Sequence, residues 1–170
     1  MIDFTKIDYL KTGNERQKRA YKVLTKYQVF RKLKSYTPIL AGTIPIEIDV
    51  DGSDLDIICE VKDKIKFEKF LIQEFKDFDL EIEKISLNTN ETIVCSFKIE
   101  EFPIEIFGQN KPSKEQNAYR HMIAEYKTLQ EKGEDFKQKI ITLKKKGIKT
   151  EPAFGMLLNL EHPYEDLLKL

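Results

Sequence analysis

Leu40-Ala41-Gly42-Thr43 and, beginning ten residues after Gly42, Gly52-Ser53-Asp54-Leu55-Asp56-Ile57-Ile58 are the stretches that decide the fold. The first reads as the end of a short buried strand over 37–42 that stops at a glycine. A glycine there lets backbone N–H groups approach a phosphate closely, and the Thr43 hydroxyl can donate to it. The second opens another strand, 54–61. Asp54 and Asp56 lie two apart on it, so their carboxylates share one face, while Leu55, Ile57 and Cys59 take the other. Two adjacent carboxylates repel unless hard cations such as Mg²⁺ sit between them, with triphosphate oxygens completing the shell. Residues 43–53 read as a loop carrying Pro45 and Gly52, with a brief extended piece at 46–48.

A third carboxylate stands out at Glu105, the only charge in the strand FPIEIF over 102–107, with Ile104 and Ile106 on its other face. An acid in so apolar a strand needs a partner. A structural ion pair is one reading; beside Asp54 and Asp56, a metal role is favoured.

Working outward, residues 14–34 carry Ala20, Val23, Leu24, Tyr27, Phe30 and Leu33 at helical spacing behind a capping Asn14. A second amphipathic helix spans 64–77. Strands at 80–87 and 92–99 are joined by the turn Asn88-Thr89-Asn90, which makes a hairpin natural. After Gly108 the period becomes helical: Ser113 can cap 114–131, Gly133 and Gly147 bound 134–146, and short helices close the chain near 152–160 and 164–168. Strands before 108 and helices after it, with one helix leading, define an α+β class. A core of residues 1–110 with a helical extension, 111–170, packed on it as a single compact unit is expected.

The 170 residues are 41% apolar and 34% charged, with 29 basic and 29 acidic side chains. Global charge therefore gives no evidence for nucleic-acid or membrane binding. Lysine and arginine cluster over 11–34 and 132–149, and the acids between Glu47 and Glu105, a basic rim around an acidic centre that suits a metal–nucleotide ligand as well as solvated helix faces. Cys59 and Cys95 have no scaffold or zinc spacing and read as buried, reduced thiols. No apolar run approaches the ~18 residues of a membrane span. The N-terminus lacks a signal-peptide centre, so a cytoplasmic protein without a membrane partner is expected. Asp49, Asp51, Ser53 and Glu60 mimic part of an EF-hand loop, but Asp54 stands where glycine is required, so Asp49 and Asp51 read as solvated loop acids.

These residues resemble the DNA-polymerase-β-like nucleotidyltransferase superfamily: an apolar strand, a Gly–hydroxyl turn, a carboxylate–apolar–carboxylate motif, then a third acid on a later strand. The resemblance covers roughly 37–108. It implies a mixed β-sheet nucleotidyltransferase core with an N-terminal helix and a C-terminal helical layer. It further implies that Asp54, Asp56 and Glu105 hold two Mg²⁺ (or Mn²⁺) ions when a nucleoside triphosphate is bound, with Gly42, Thr43 and Ser53 at the nucleotide. The segments GTIPIEIDVDGSDLDIIC, FPIEIFGQ, QNAYRHMIAEY and KTEPAFGMLLNLEHPYEDLLKL also look like a bacterial family known as domain of unknown function 4269, placed within the same fold.

On helix 114–131, Asn117, His121 and Glu125 recur every four residues with Arg120 adjacent, one polar stripe opposite an apolar one of Tyr119, Met122, Ile123 and Tyr126. By analogy with two-domain antibiotic nucleotidyltransferases, Glu125 is a candidate general base. Arg120 is a candidate phosphate contact, and His121 a candidate for the nucleotide or acceptor. The alternative is a solvated helix face. The leading function is Mg²⁺-dependent transfer of a nucleoside monophosphate from a triphosphate to a small molecule, an RNA end or a protein hydroxyl. The alternative is a catalytically inactive module that binds nucleotide, RNA or protein, supported by the arginine-free loop IPIEIDVDG over 44–52.

Overall fold

A computed structural model describes residues 2–87 and 90–170. The expected turn at Asn88 and Thr89 lies outside the described residues. Five strands, β1 (Ile39–Ala41), β2 (Leu55–Glu60), β3 (Glu81–Leu87), β4 (Asn90–Ile99) and β5 (Phe102–Gln109), form one sheet in the order β1-β2-β5-β4-β3. β2 and β5 run parallel; the other neighbours are antiparallel. The sheet is mixed and the class is α+β.

Period-two patterning divides the sheet into two faces. Along β5 the residues alternate, with Phe102, Ile104 and Ile106 buried and Pro103, Glu105 and Phe107 half-exposed. The first set joins Leu40 of β1, Leu55, Ile57 and Cys59 of β2, and Ile93, Cys95, Phe97 and Ile99 of β4 in one core. The helices α1 (Glu15–Lys26), α2 (Val29–Lys32) and α3 (Lys64–Glu74) cover it. Phe67 of α3 sits directly over Gly108, where an added Cβ would lie 2.5 Å from its ring. The opposite face carries Ile39, Ala41 and Ile58. It is covered by α4 (Asn117–Lys132), α5 (Glu134–Lys145), α6 (Thr150–Leu158) and α7 (Pro163–Asp166), which bury Met122, Leu129, Ile140 and Phe154. Among these helices, contacts to the strands centre on α4 against β1. The β4–β3 half of this face presents polar and charged side chains such as Ser96, Glu81 and Glu83.

Three local expectations are corrected. The helix over 14–34 is broken at Gln28, in the left-handed region (φ 55°), which turns the chain so that Val29 and Leu33 enter the core fully buried. Packing overrides an unbroken helical period that no Gly or Pro interrupts. Residues 46–48 are not extended; Ile44, Ile46 and Ile48 are all buried because the loop turns tightly, with Glu47 at φ 60° and the Ile48 amide donating to Thr43 O. Ser113 does not cap α4: its hydroxyl donates to Thr37 O at 2.6 Å, a short 3-10 turn follows, and the helix starts at Asn117 behind Gln116.

The folded loop is tied to α1. Asn14 and Gln17 form a reciprocal capping box. The buried Gln17 then donates from Nε2 to Pro45 O (3.2 Å) and to Ile44 O (2.9 Å), which also accepts from the Glu47 amide at 3.3 Å. Arg16 donates to Ser53 O at 3.1 Å, and its Nε lies 3.2 Å from Asp49 Oδ2 without the alignment of a directed hydrogen bond. Asp49 is thus a partly buried ion-pair acid, not a solvated one.

Candidate metal and nucleotide site

β2 and β5 set the site. Their parallel register puts Asp56 opposite Glu105, and Ala41 of β1 opposite Asp56 on the other side. Asp54, one residue before β2, shares the face of Asp56. One oxygen from each of Asp54, Asp56 and Glu105 lies within 4.8 Å of the others. No basic side chain is paired with any of them among the described ion pairs. Burial foremost, then the charges of Asp54 and Glu105, pushes Asp56 up to about 8. Burial, Asp54 and Glu83 raise Glu105. Three converging acids, one of them holding its proton near neutral pH, form a set of hard oxygen donors. Hard oxygen ligands at this spacing fit a divalent ion.

Gly42 closes the site on the β1 side. Its φ of 81° favours glycine, and an added Cβ would lie 2.2 Å from Asp56 Oδ2. The turn at Gly42 and Thr43 therefore passes directly against the Asp56 carboxylate. Gly42, Thr43 and Asp56 line one side of a cavity of about 440 Å³; Asn117, His121 and Glu125 of α4 and Thr150 and Glu151 of α6 complete it.

The expected residues separate into two groups. Asp54, Asp56 and Glu105 meet, and Gly42, Thr43, His121 and Glu125 border the cavity that Asp56 lines. Ser53 instead closes its own turn, its hydroxyl accepting from the Val50 amide at 2.9 Å. Arg120 is exposed and borders a separate groove with Lys114, Leu167 and Leu168. The helical stripe of His121 and Glu125 is an inner one: they are 9% and 4% exposed, because α6 and α7 cover α4 on that side. His121 Nε2 is 2.7 Å from Tyr164 O, and Nδ1 is 3.5 Å from Glu151 Oε1. Burial, reinforced by the charge of Glu151, pushes Glu125 up to about 8.

Sequence reasoning missed Lys144 and Glu151. Lys144 is part-buried on α5, and its Nζ donates to Thr150 Oγ1 at 3.0 Å. Burial lowers its pKa, opposed by Glu125, Asp49, Glu151 and Asp54, so its ammonium lies in the field of the site's acids. A signal was present: Lys137, Ile140 and Lys144 recur at helical spacing, and Ile140 is fully buried, so both lysines belong to the inward stripe. Lys137 pairs with Glu47 at 2.7 Å.

A mixed sheet with a glycine–hydroxyl turn beside three carboxylates on neighbouring strands defines a nucleotidyltransferase fold. The chain is similar in structure to a cytoplasmic RNA terminal U-transferase, with a TM-score of 0.54 at 14% identity over 83% of this chain and 43% of that one. It is also similar to the Cid1 poly(U) polymerase bound to MgGTP (0.52, 12% identity, 75% of this chain and 41% of that one). A chain of the GLD-2/RNP-8 complex matches at 0.55 and 10% identity, over 89% of this chain and 60% of that one. The chain thus spans between 41% and 60% of the length of these three proteins. No curated protein matches it by sequence. Within the fold, the chain belongs to the DUF4269 family (Domain of unknown function), matched over residues 22–170. No described helix is long and apolar enough to cross a membrane.

Proposed function

We propose that the protein is a divalent-metal-dependent nucleotidyltransferase that moves a nucleoside monophosphate from a nucleoside triphosphate to an acceptor hydroxyl. The observation that carries this reading is the convergence of Asp54, Asp56 and Glu105 against the Gly42 turn. A structural ion pair would have supplied a Lys or Arg; here the acids face one another. Mg²⁺ or Mn²⁺ bound between them would supply charge stabilisation for the triphosphate and the attacking oxygen. Gly42 and Thr43 receive phosphate oxygens through backbone N–H and hydroxyl groups, and Lys144 supplies the fixed cation that the arginine-free loop lacks. The acceptor oxygen bonds to the α-phosphorus, its proton passes to Glu105, and the bond to the β-phosphate oxygen breaks to release pyrophosphate. Glu125 and His121 lie deeper and are assigned to holding the acceptor. The sequence-based role of Arg120 at phosphate has no support from its position.

Calorimetric titration with non-hydrolysable analogues of ATP, CTP, GTP and UTP, with Mg²⁺ and with EDTA, tests this. Metal-dependent binding lost in Asp54→Asn supports it. Binding that ignores metal identifies a non-catalytic nucleotide module instead.

A further inference from the structure

The inner end of the cavity carries a buried carboxyl group without a partner. Glu125 is 4% exposed, lines the cavity, and makes no hydrogen bond or ion pair among the described residues. His121 Nε2 faces the Tyr164 carbonyl, which only accepts, so Nε2 carries a proton. Its Nδ1 lies 3.5 Å from Glu151 Oε1, longer than a directed hydrogen bond. Lys144 is the nearby cation, yet it bonds to Thr150 and makes no ion pair with these groups. Burial and the charge of Glu151 keep a proton on Glu125, the state expected where a buried acid has no counter-ion. The described residues bring only Asp54, Asp56 and Glu105 close enough together to hold a metal. Glu125 and Glu151 border the cavity without a Lys or Arg paired to either among the described residues, and an ammonium, all donors and positively charged, is complementary to such carboxyl groups.

We propose that this end of the cavity is an ammonium subsite and that the acceptor is a small molecule carrying a primary amine near its attacking hydroxyl. The naming of an acceptor rests on the nucleotidyl-transfer reading; the binding of an ammonium does not. Size and the scarcity of cations oppose a polynucleotide in this cavity: its volume is about 440 Å³, and Lys111 is the one lysine among the described residues that line it. A nucleic-acid backbone needs cations along its path.

The test is a matched pair, glucosamine and glucose, which differ at one carbon by ammonium for hydroxyl, titrated calorimetrically without nucleotide or metal. Ethanolamine and 1,5-diaminopentane extend the amine series. Glucosamine binding at least tenfold more tightly than glucose, with that preference lost in Glu125→Gln and in Glu151→Gln, is the expected result. Asp54→Asn, which removes a triad acid outside the cavity lining, retains the preference, so amine binding is read separately from metal chemistry. Equal binding of the two sugars, no binding of any amine, or a Glu125→Gln protein with wild-type preference overturns the proposal. A response confined to nucleotides bearing an exocyclic amino group, with all the amines silent, overturns it as well.

Discussion

Glu125 holds its proton to about 8, against an ordinary glutamate value of 4.5. Between those values the folded protein binds more protons at this position than the unfolded chain. Its contribution to stability is therefore full below about pH 4.5, declines as pH rises, and levels off above about 8. Glu125→Gln removes the decline. The variant should match wild type near pH 5 and exceed it at pH 8 by about 1–3 kcal/mol, read as about 2–4 °C of Tm per kcal/mol. Parallel Tm profiles across that range would show that Glu125 has a counter-ion. Gly42 gives the opposite sign. Alanine there meets both the left-handed backbone and the Asp56 carboxylate, and should destabilise by about 1–3 kcal/mol. Metal binding should be lost with it, since Asp56 has to move away from the Cβ; calorimetry with Mn²⁺ on the folded variant checks this. At this scale the site was partly legible. The three acids declared themselves through spacing and through the loneliness of Glu105 among apolar residues. Lys144 did not, because one lysine in a lysine-rich helix is conspicuous only once Ile140 is known to face inward. Arg120 illustrates the converse: adjacency to His121 in sequence is about 100° of rotation on a helix, enough to put it in a different groove.

The strands were legible as elements because each is a short run rich in apolar and β-branched residues, with the clearest alternation in β5. The break at Gln28 was not, since helical spacing continues through it from Tyr27 to Leu33. The cause is tertiary: Val29 and Leu33 reach the core beside Leu24 only if the chain turns, and Lys32 then donates to Glu74 O on the neighbouring helix. The left-handed residue that permits this turn is a glutamine, a strained choice. Gln28→Gly should therefore stabilise the protein by about 0.5–1 kcal/mol, whereas glycine within a continuous helix would destabilise by about 1 kcal/mol. Urea denaturation distinguishes the signs. The loop over 43–53 was legible as a loop but not as packed structure. Its alternating isoleucines suggested a strand, yet they reach the core from a tight turn held by Gln17.

For the whole molecule, the helical layer closes a cavity over one half of the face that bears the acids and leaves the carboxylates at its edge. The fold, the triad and the cavity together make one central claim: the acids are held in mutual repulsion for the sake of a ligand. Asp56→Asn keeps the shape and removes the charge. Without metal, at about pH 8.5 where Asp56 would ionise, the variant should melt at or above the wild-type temperature, because repulsion with Asp54 and Glu105 is relieved. With Mg²⁺ and a triphosphate at about 100 times Kd, wild type should gain about 2.7 kcal/mol and the variant almost nothing, reversing the order. The measurement is a set of four melting curves, wild type and Asp56→Asn, each with and without Mg²⁺ and nucleotide. Reversal of the order on adding ligand is the predicted result. A ligand-free variant markedly less stable than wild type, with neither protein responding to nucleotide, would contradict the claim and make Asp56 a structural acid.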